Sequence, residues 1–400
     1  MLRAGVGLSA ARQPREAARE AASAALSQAG AAQAQAAICF VSSAHAAAYG
    51  QIVRLLSEYL GTDTVVGCSA RGVLAGGREI ERGPALALLA ISGDRLGAER
   101  LFVPGLKGRS SEAARELAAL ARPALGKNNL LYVFPDTYNV EPQSFIATLE
   151  QELPGVVIIG GGASEDGSLG ETAVFCGNAV SSNAVSGLLL VGELEINTGS
   201  ALGCRLIGRP LRVTGARENI LLELDNQPAL TVLKQMIGPL AEDLERAAAV
   251  VYLATALDAD ATGLEHGRYL VRNLLGFNER HEAIAVGYRP RPGELVGFAL
   301  RDAEGAREDL KLTLAGLQAA QKQPPAFGIY VDCVARGSAL YSVPDHDSAY
   351  ISRQFPALPI AGFFSGFEIG PVAAATRLLI YSGVLALVSE KSDAKSNPVG

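Results

Sequence analysis

Cysteines beside basic groups, carboxylates in apolar company and serines in glycine turns are the residues of this chain that could do chemistry. Asp332-Cys333 closes an apolar run and Arg336-Gly337 follows at once. A guanidinium that near would favour the thiolate, which makes Cys333 a candidate reactive thiol. Cys333 and Cys68 read equally as small buried apolar residues, the commoner use of a free cysteine. Glu368 lies between Phe367 and Ile369 in a turn bounded by glycine and proline. A carboxylate there needs a partner, either a protein arginine or a cationic group on a ligand. Arg205 and Arg272 each follow apolar residues patterned as strands, and each either pairs with a carboxylate in the fold or clamps a small anion. Ser69, Arg71, Ser164 and Asp166 occupy glycine turns, where they are turn residues first and pocket residues second.

Standard catalytic signatures do not fit. Gly67-Cys68-Ser69-Ala70-Arg71-Gly72 resembles G-x-S-x-G with its last glycine one place late, and a strand rather than a helix is expected after it. Gly160-Gly161-Gly162 does not open a helix, so it is no phosphate-cradling G-x-G-x-x-G loop. The four histidines have no ligand spacing with the five cysteines, which argues against zinc. No cofactor is implied.

The elements that position these groups repeat. An apolar strand, a helix-length segment, a second apolar strand, a glycine turn and a further strand recur three times. The second strands empty into the turns beginning at Gly67, Gly160 and Gly362. From Cys39 to Gly67 and from Tyr132 to Gly160 is 28 residues, and from Tyr330 to Gly362 is 32. A period that loose argues against a solenoid and for a duplicated globular unit. Pro14–Ala29 reads as a helix with proline at its start and Gly30 after its end. Asp302 is placed to N-cap a helix reaching Ala320, with Leu310, Leu314 and Leu317 on one face. Leu202–Ile207 and Leu211–Thr214 read as two strands about a Gly208-Arg209-Pro210 turn, and Leu378–Val388 as one long strand.

Composition bounds the class. With 19% charged and 49% hydrophobic residues the chain is globular. The net charge of −6 and the lack of tryptophan speak against a nucleic-acid surface. No apolar run is long enough to span a bilayer, and the first residues lack the order of a signal peptide. Widely spaced cysteines without CxxC pairs fit reduced thiols, so a cytoplasmic location is expected.

In order along the chain, VVGCSARGVLAGGREIE (65–81), GGGASEDG (160–167), GCRLIGRPLRVT (203–214), ELDNQPAL (223–230), YLVRNLLGFN (269–278), FALRDAEGAREDL (298–310), DCVARG (332–337) and LPIAGFFSGFEIGPV (358–372) resemble the FIST proteins. The resemblance covers nearly the whole chain to about residue 388. It implies a stand-alone bacterial sensory module for signal transduction, with FIST N-terminal and C-terminal domains, that binds a small ligand, amino acids being candidates. The family carries no agreed catalytic residues, and it includes an F-box protein, which implies an interaction role as the rival. Phe367 stands where a glycine commonly precedes Glu368, which makes the third turn more apolar.

These readings give an α/β protein of two related domains, 1–222 and 223–390, with a polar tail at 391–400. Mixed sheets flanked by helices carry the repeats. The expected function is sensing of a small polar metabolite in a cleft lined by Ser69, Arg71, Ser164, Asp166, Arg205, Cys333, Arg336 and Glu368. An interaction scaffold for a signalling protein is the alternative, and a cysteine-dependent enzyme the third reading.

Overall fold

The computed structural model describes residues 1–258, 261–265 and 267–391; the expected polar tail, from residue 392 on, lies outside them. Described residues fall into two compact units: 1–200 with 313–378 and the chain from 383 on, and 201–312 with 379–382. The boundary expected at 222/223 falls inside the second unit, within the strand Ile220–Leu224.

The first unit is built from three copies of one plan. Its centre in each copy is a pair of parallel strands. Ala36–Ser42 runs beside Val65–Ala70, Asn128–Pro135 beside Val157–Gly161, and Phe327–Cys333 beside Ile360–Ser365. These are the apolar, β-branched runs that a strand covered on both faces requires. Antiparallel strands Leu86–Gly93, Ala184–Gly192 and Gly383–Glu390 pair with the first member of each pair. Leu2–Ser9, Leu96–Pro104 and Leu194–Ala201 then form the outer edges.

A hairpin from a different repeat fills the remaining edge of each sheet. Val73–Ala75 and Arg78–Ile80 of the first repeat extend the sheet of the third. Val174–Cys176 and Ala179–Ser181 of the second extend the first. Glu368–Val372 and Ala375–Leu379 of the third extend the second. The exchange is cyclic, and it yields three six-stranded mixed sheets with helices outside, the mixed α/β arrangement expected from the sequence.

One glycine per repeat makes the parallel pairs possible. A Cβ on Gly67, Gly160 or Gly362 would stand 1.8, 1.8 and 1.9 Å from the carbonyl oxygens of Cys39, Val133 and Tyr330. No side chain fits there, so the three glycines mark equivalent points. The register places Val133, rather than Tyr132, opposite Gly160. Phe40, Phe134 and Phe363 meet in the interior with ring centroids 4.4 to 5.9 Å apart, all without exposure. Helices cover the sheets with alanine-rich faces. Pro14–Ala29 buries Ala17, Ala18, Ala21, Ala22 and Ala25, and stops at Gly30, whose φ of 60° is the left-handed turn that glycine permits.

The second unit is inserted in the third repeat. In the first two repeats the edge strand leads within a few residues into its helix, Pro14–Ala29 or Ser110–Ala121. In the third, Leu194–Ala201 and the helix Ala303–Ala320 are separated by about a hundred residues. Arg205–Arg217, Leu295–Leu300, Val251–Ala256, Tyr269–Asn278, Ala283–Val286 and Ile220–Leu224 pair antiparallel in that order. Ile220–Leu224 pairs back onto Arg205–Arg217, which closes the six strands into a ring. Leu230, Leu233 and Ile237 of the helix Ala229–Ile237 pack with Leu211, Val213, Leu253, Ile284 and Phe298 of the strands.

Two expected elements differ. The segment around Gly208-Arg209-Pro210 is a register irregularity inside the single strand Arg205–Arg217, because the residues on both sides keep pairing with Leu295–Leu300. The expected strand Leu378–Val388 is two strands, broken where Tyr381 takes φ 59° and where residues 379–382 join the second unit.

Candidate functional site

The glycine turns of the three repeats are knitted together by serines. Ser69 Oγ donates to the Ser164 carbonyl at 3.0 Å and accepts from the Ala173 N–H at 3.0 Å. Ser164 Oγ donates to the Phe364 carbonyl and accepts from the Arg71 N–H at 2.8 Å. Phe364 N–H donates to Gly72, and Gly366 N–H to Gly162, both at 3.0 Å. Ser69 and Ser164 therefore tie turn to turn, and both are buried. The Arg71 and Asp166 side chains are exposed. Asp166 accepts from Ser168 N–H at 3.1 Å and from Ser168 Oγ at 2.5 Å, so it organises its own loop.

Arg336 is fully buried beside that junction's third repeat. Its Nε and Nη2 donate to Asp347 Oδ2 at 2.9 and 2.7 Å, and Nη2 also donates to Tyr341 Oη at 2.7 Å. Asp332 Oδ1 lies 3.0 Å from Nε. Tyr330 donates to Asp347 Oδ2 at 2.8 Å, and the His346 ring, stacked on Tyr341 at 3.6 Å, places Nδ1 3.1 Å from Asp347 Oδ1. Burial works against the charge of Asp347, but Arg336 and these donors hold its pKa at about 2. Burial and the neighbouring Asp347 push Asp332 the other way, well above the carboxylate range. Asp347 is thus the carboxylate that Arg336 holds most firmly, with Asp332 on the other side of the guanidinium's Nε.

More carboxylates converge here. Glu368 is buried, and Ser365 Oγ lies 2.9 Å from its Oε1. Glu79, from the hairpin of the first repeat, accepts from Ser348 N–H at 2.9 Å and Oγ at 2.8 Å. Burial raises its pKa to about 7. Next along, Glu81 accepts from Ser338 N–H and Oγ at 2.8 Å. The two glutamates cap the helices Ser338–Tyr341 and His346–Gln354 of another repeat. Cys333 is buried, and burial pushes the Cys68 thiol well above its usual value, away from nucleophilic chemistry. Sequence reasoning singled out Arg336 and Glu368 but missed Glu79 and Asp347. Asp347 sits in the polar string PDHDSAY, which reads as a wet helix start. Only the alternation Glu79-Ile80-Glu81 after a glycine pair signalled a strand with carboxylates on one side.

Arg205 belongs to the second unit, whereas the other seven expected site residues belong to the first. It borders a cleft of about 490 Å³ lined also by Cys204, Leu206, Tyr269, Glu304, Glu308, Asp309 and Leu312. The strand Arg205–Arg217 and the helix Ala303–Ala320 form its two sides. Gly305 lets them approach, since a Cβ there would lie 3.0 Å from Arg205 Cβ. Asp302 fixes the helix start as expected, accepting from the Gly305 N–H at 2.7 Å, and Leu310, Leu314 and Leu317 are buried. It also pairs with Arg205 at 3.2 Å. Cys204, Tyr269 and Asp309 make a buried floor: Tyr269 donates to the Cys204 carbonyl at 2.6 Å, and Asp309 accepts from the Gly203 N–H at 3.2 Å. Arg205, Glu304, Glu308 and Leu312 are exposed at the rim. Among the described residues no group of three or more His, Cys, Asp and Glu could hold a metal ion.

A mixed α/β chain with this repeat and this insertion defines a class, and sequence comparison names it. The FIST N domain matches residues 35–227 and the FIST C domain residues 229–371; the chain belongs to the FIST family. An uncharacterized protein of Mycobacterium tuberculosis is 30% identical over 387 residues, covering 96% of this chain and 99% of its own. Another from Mycobacterium bovis is 30% identical over 388 residues, covering 96% and 98%. Among solved structures, a cyanuric acid hydrolase from A. caulinodans aligns with a TM-score of 0.35 and 10% identity over 98% of this chain and all of that one, a likeness too slight to inform fold or chemistry. FIST domains are associated with sensory signal transduction. No helix among the described residues is long and apolar enough to cross a membrane.

Proposed function

We propose that this protein is a cytoplasmic sensory protein whose second unit binds a small zwitterionic metabolite, an amino acid, in the cleft beside Arg205. One observation carries the reading: a cleft of about 490 Å³ has a guanidinium and two carboxylates at its rim, over a buried floor of Cys204, Tyr269 and Asp309. That volume suits a small ligand, and apolar walls with a few convergent charged and polar groups are the usual composition of such a site. Arg205 would take the carboxylate through N–H donors not used by Asp302. Glu304 and Glu308, one helical turn apart, would take the amine. The side chain would lie on Leu206 and Leu312.

Calorimetric titration with the twenty amino acids and their decarboxylated and deaminated analogues tests it. Binding of an amino acid, weakened at least tenfold by Arg205→Ala and by Glu304→Gln/Glu308→Gln, supports the reading. Binding that survives all of these changes sinks the site, and no binding by any compound sinks the ligand.

A groove on the outer face of the closed sheet favours the scaffold reading. It holds about 430 Å³ and is lined by Ile220, Leu222, Gly276, Ala283 and Ala285, and Leu222 is 37% exposed. A signalling partner that leaves this protein on Leu222→Asp, but not on Arg205→Ala, would replace the ligand reading with that one.

A further inference from the structure

The outer face of the second unit's closed sheet does not carry the residues that a face turned to water requires. An antiparallel sheet with its core on one side shows polar residues on the other. Here Leu221, Leu224 and Ile284 turn inward, against the helix Ala229–Ile237. The register then sets Arg217, Ile220, Ala285 and Gly276 side by side on the outer face, one from each of four neighbouring strands. Leu222 and Ala283, two residues along their strands, continue that face. These residues line the groove of about 430 Å³, with small side chains in its middle and Ile220 and Leu222 beside them. At Gly276 the space is open, since a Cβ there would meet nothing within 4 Å.

The polar groups that reach this groove are of one kind. They belong to Arg217, Asn278 and His281, and among the described residues no carboxylate lines it. A guanidinium only donates, and among the described residues no hydrogen bond or ion pair engages that of Arg217. Asn278 Oδ1 accepts from the His281 N–H at 3.0 Å, which leaves its Nδ2 to donate. The groove therefore offers donors and one fixed positive charge over an apolar surface. The Arg205 cleft differs, since Glu304, Glu308 and Asp309 line it with one arginine. The complement of the groove is an anion with an apolar body. Its size and its border favour a solute over a protein. A stable protein interface takes about 800 Å² from each side and keeps charge out of its core. Around this groove Glu218, Glu279, Arg280 and Glu282 are all exposed.

We infer that the outer groove of the second unit is a second ligand site, for a small apolar carboxylic acid whose carboxylate pairs with Arg217 and whose body lies over Gly276, Ala283 and Ala285. It shares no residue with the Arg205 cleft, so it stands or falls separately from the amino-acid reading. It gives to a solute the groove that the scaffold reading gives to a protein.

Calorimetric titration of the full chain tests this, with 3-phenylpropionate and decanoate as acids and 3-phenylpropionamide and 3-phenylpropylamine as isosteres that lack the negative charge. At least one acid should bind saturably, about tenfold or more tighter than the amide, and the amine not at all. Arg217→Gln should erase the preference for acid over amide. Gly276→Leu, which fills the groove without touching the protein around it, should abolish binding at an unchanged melting temperature, and Arg205→Ala should leave binding as it is. An amide that binds as well as its acid, acid binding that survives Gly276→Leu, or no binding of either acid each overturns the proposal. So does a protein partner that the parent retains and Gly276→Leu releases while neither acid displaces it, which would give the groove to the scaffold reading.

Discussion

Arg336 and Arg205 both follow apolar strands or strand ends, both pair with aspartate, and they do opposite things. The Arg336 and Asp347 side chains have no exposure and lie 2.7 Å apart. Arg205 is 57% exposed and lies 3.2 Å from Asp302. A dry ion pair must be complete, because either partner alone is an uncompensated buried charge. A wet one contributes little to stability and stays available to a solute. The same residue type is therefore a keystone in one unit and a candidate ligand group in the other, and burial decides which.

Breaking the dry pair should have the largest effect. Arg336→Ala is expected to cost about 3–5 kcal/mol, read as a shifted denaturant midpoint. A cost below about 1 kcal/mol would mean that the pair is far wetter than its surroundings indicate. Gly362→Ala should come next, destabilising by about 3 kcal/mol or more, since its Cβ would overlap the Tyr330 carbonyl at 1.9 Å. If that variant melts like the parent, the equivalence of the three glycines is lost.

The acid cluster around Arg336 gives the comparison a pH axis. Folded Glu79 keeps its proton to about pH 7, whereas its ordinary value is 4.5. Between those values the folded state binds more protons, so this group's contribution falls as pH rises and levels off above about 7. Asp347, held at about 2 against an ordinary 3.8, acts in the opposite sense. Its stabilisation is complete above its ordinary value and is lost as pH falls toward 2. Glu79→Gln should flatten the decline between pH 4.5 and 7, which is worth at most about 3 kcal/mol. A parent protein whose stability rises through that window would show that Glu79 is ionised throughout. The smallest stability effect belongs to Arg205→Ala, within about 1 kcal/mol, even where amino-acid binding is lost.

Much of the fold was legible. The Pro14–Ala29 helix, the Asp302 cap and the three glycine turns follow from local chemistry: a proline that fits only a first turn, a side chain that accepts a free N–H, and strands that tolerate no Cβ at one point. The organisation of the units was not. The repeat pattern is local, but the interruption between Ala201 and Ala303 separates an edge strand from its helix, and nothing within either element marks the separation. The hairpin exchange was equally hidden, because Val73–Ala75 satisfies its alternation wherever it pairs. At the candidate sites the sequence identified single residues, among them Arg205, Arg336 and Ser164. It could not say that Arg336 is dry and Arg205 wet, since burial depends on elements hundreds of residues away.

The cyclic hairpin exchange has a consequence for synthesis. Val73–Ala75 pairs with Ile360–Ser365, which leaves the ribosome about 280 residues later. At about 5–20 residues per second, the first repeat waits roughly 15–60 seconds with its hairpin unclaimed, and the third sheet cannot be completed before Gly383–Glu390 has been made. During that interval the nascent chain offers two adhesive strands to whatever is near.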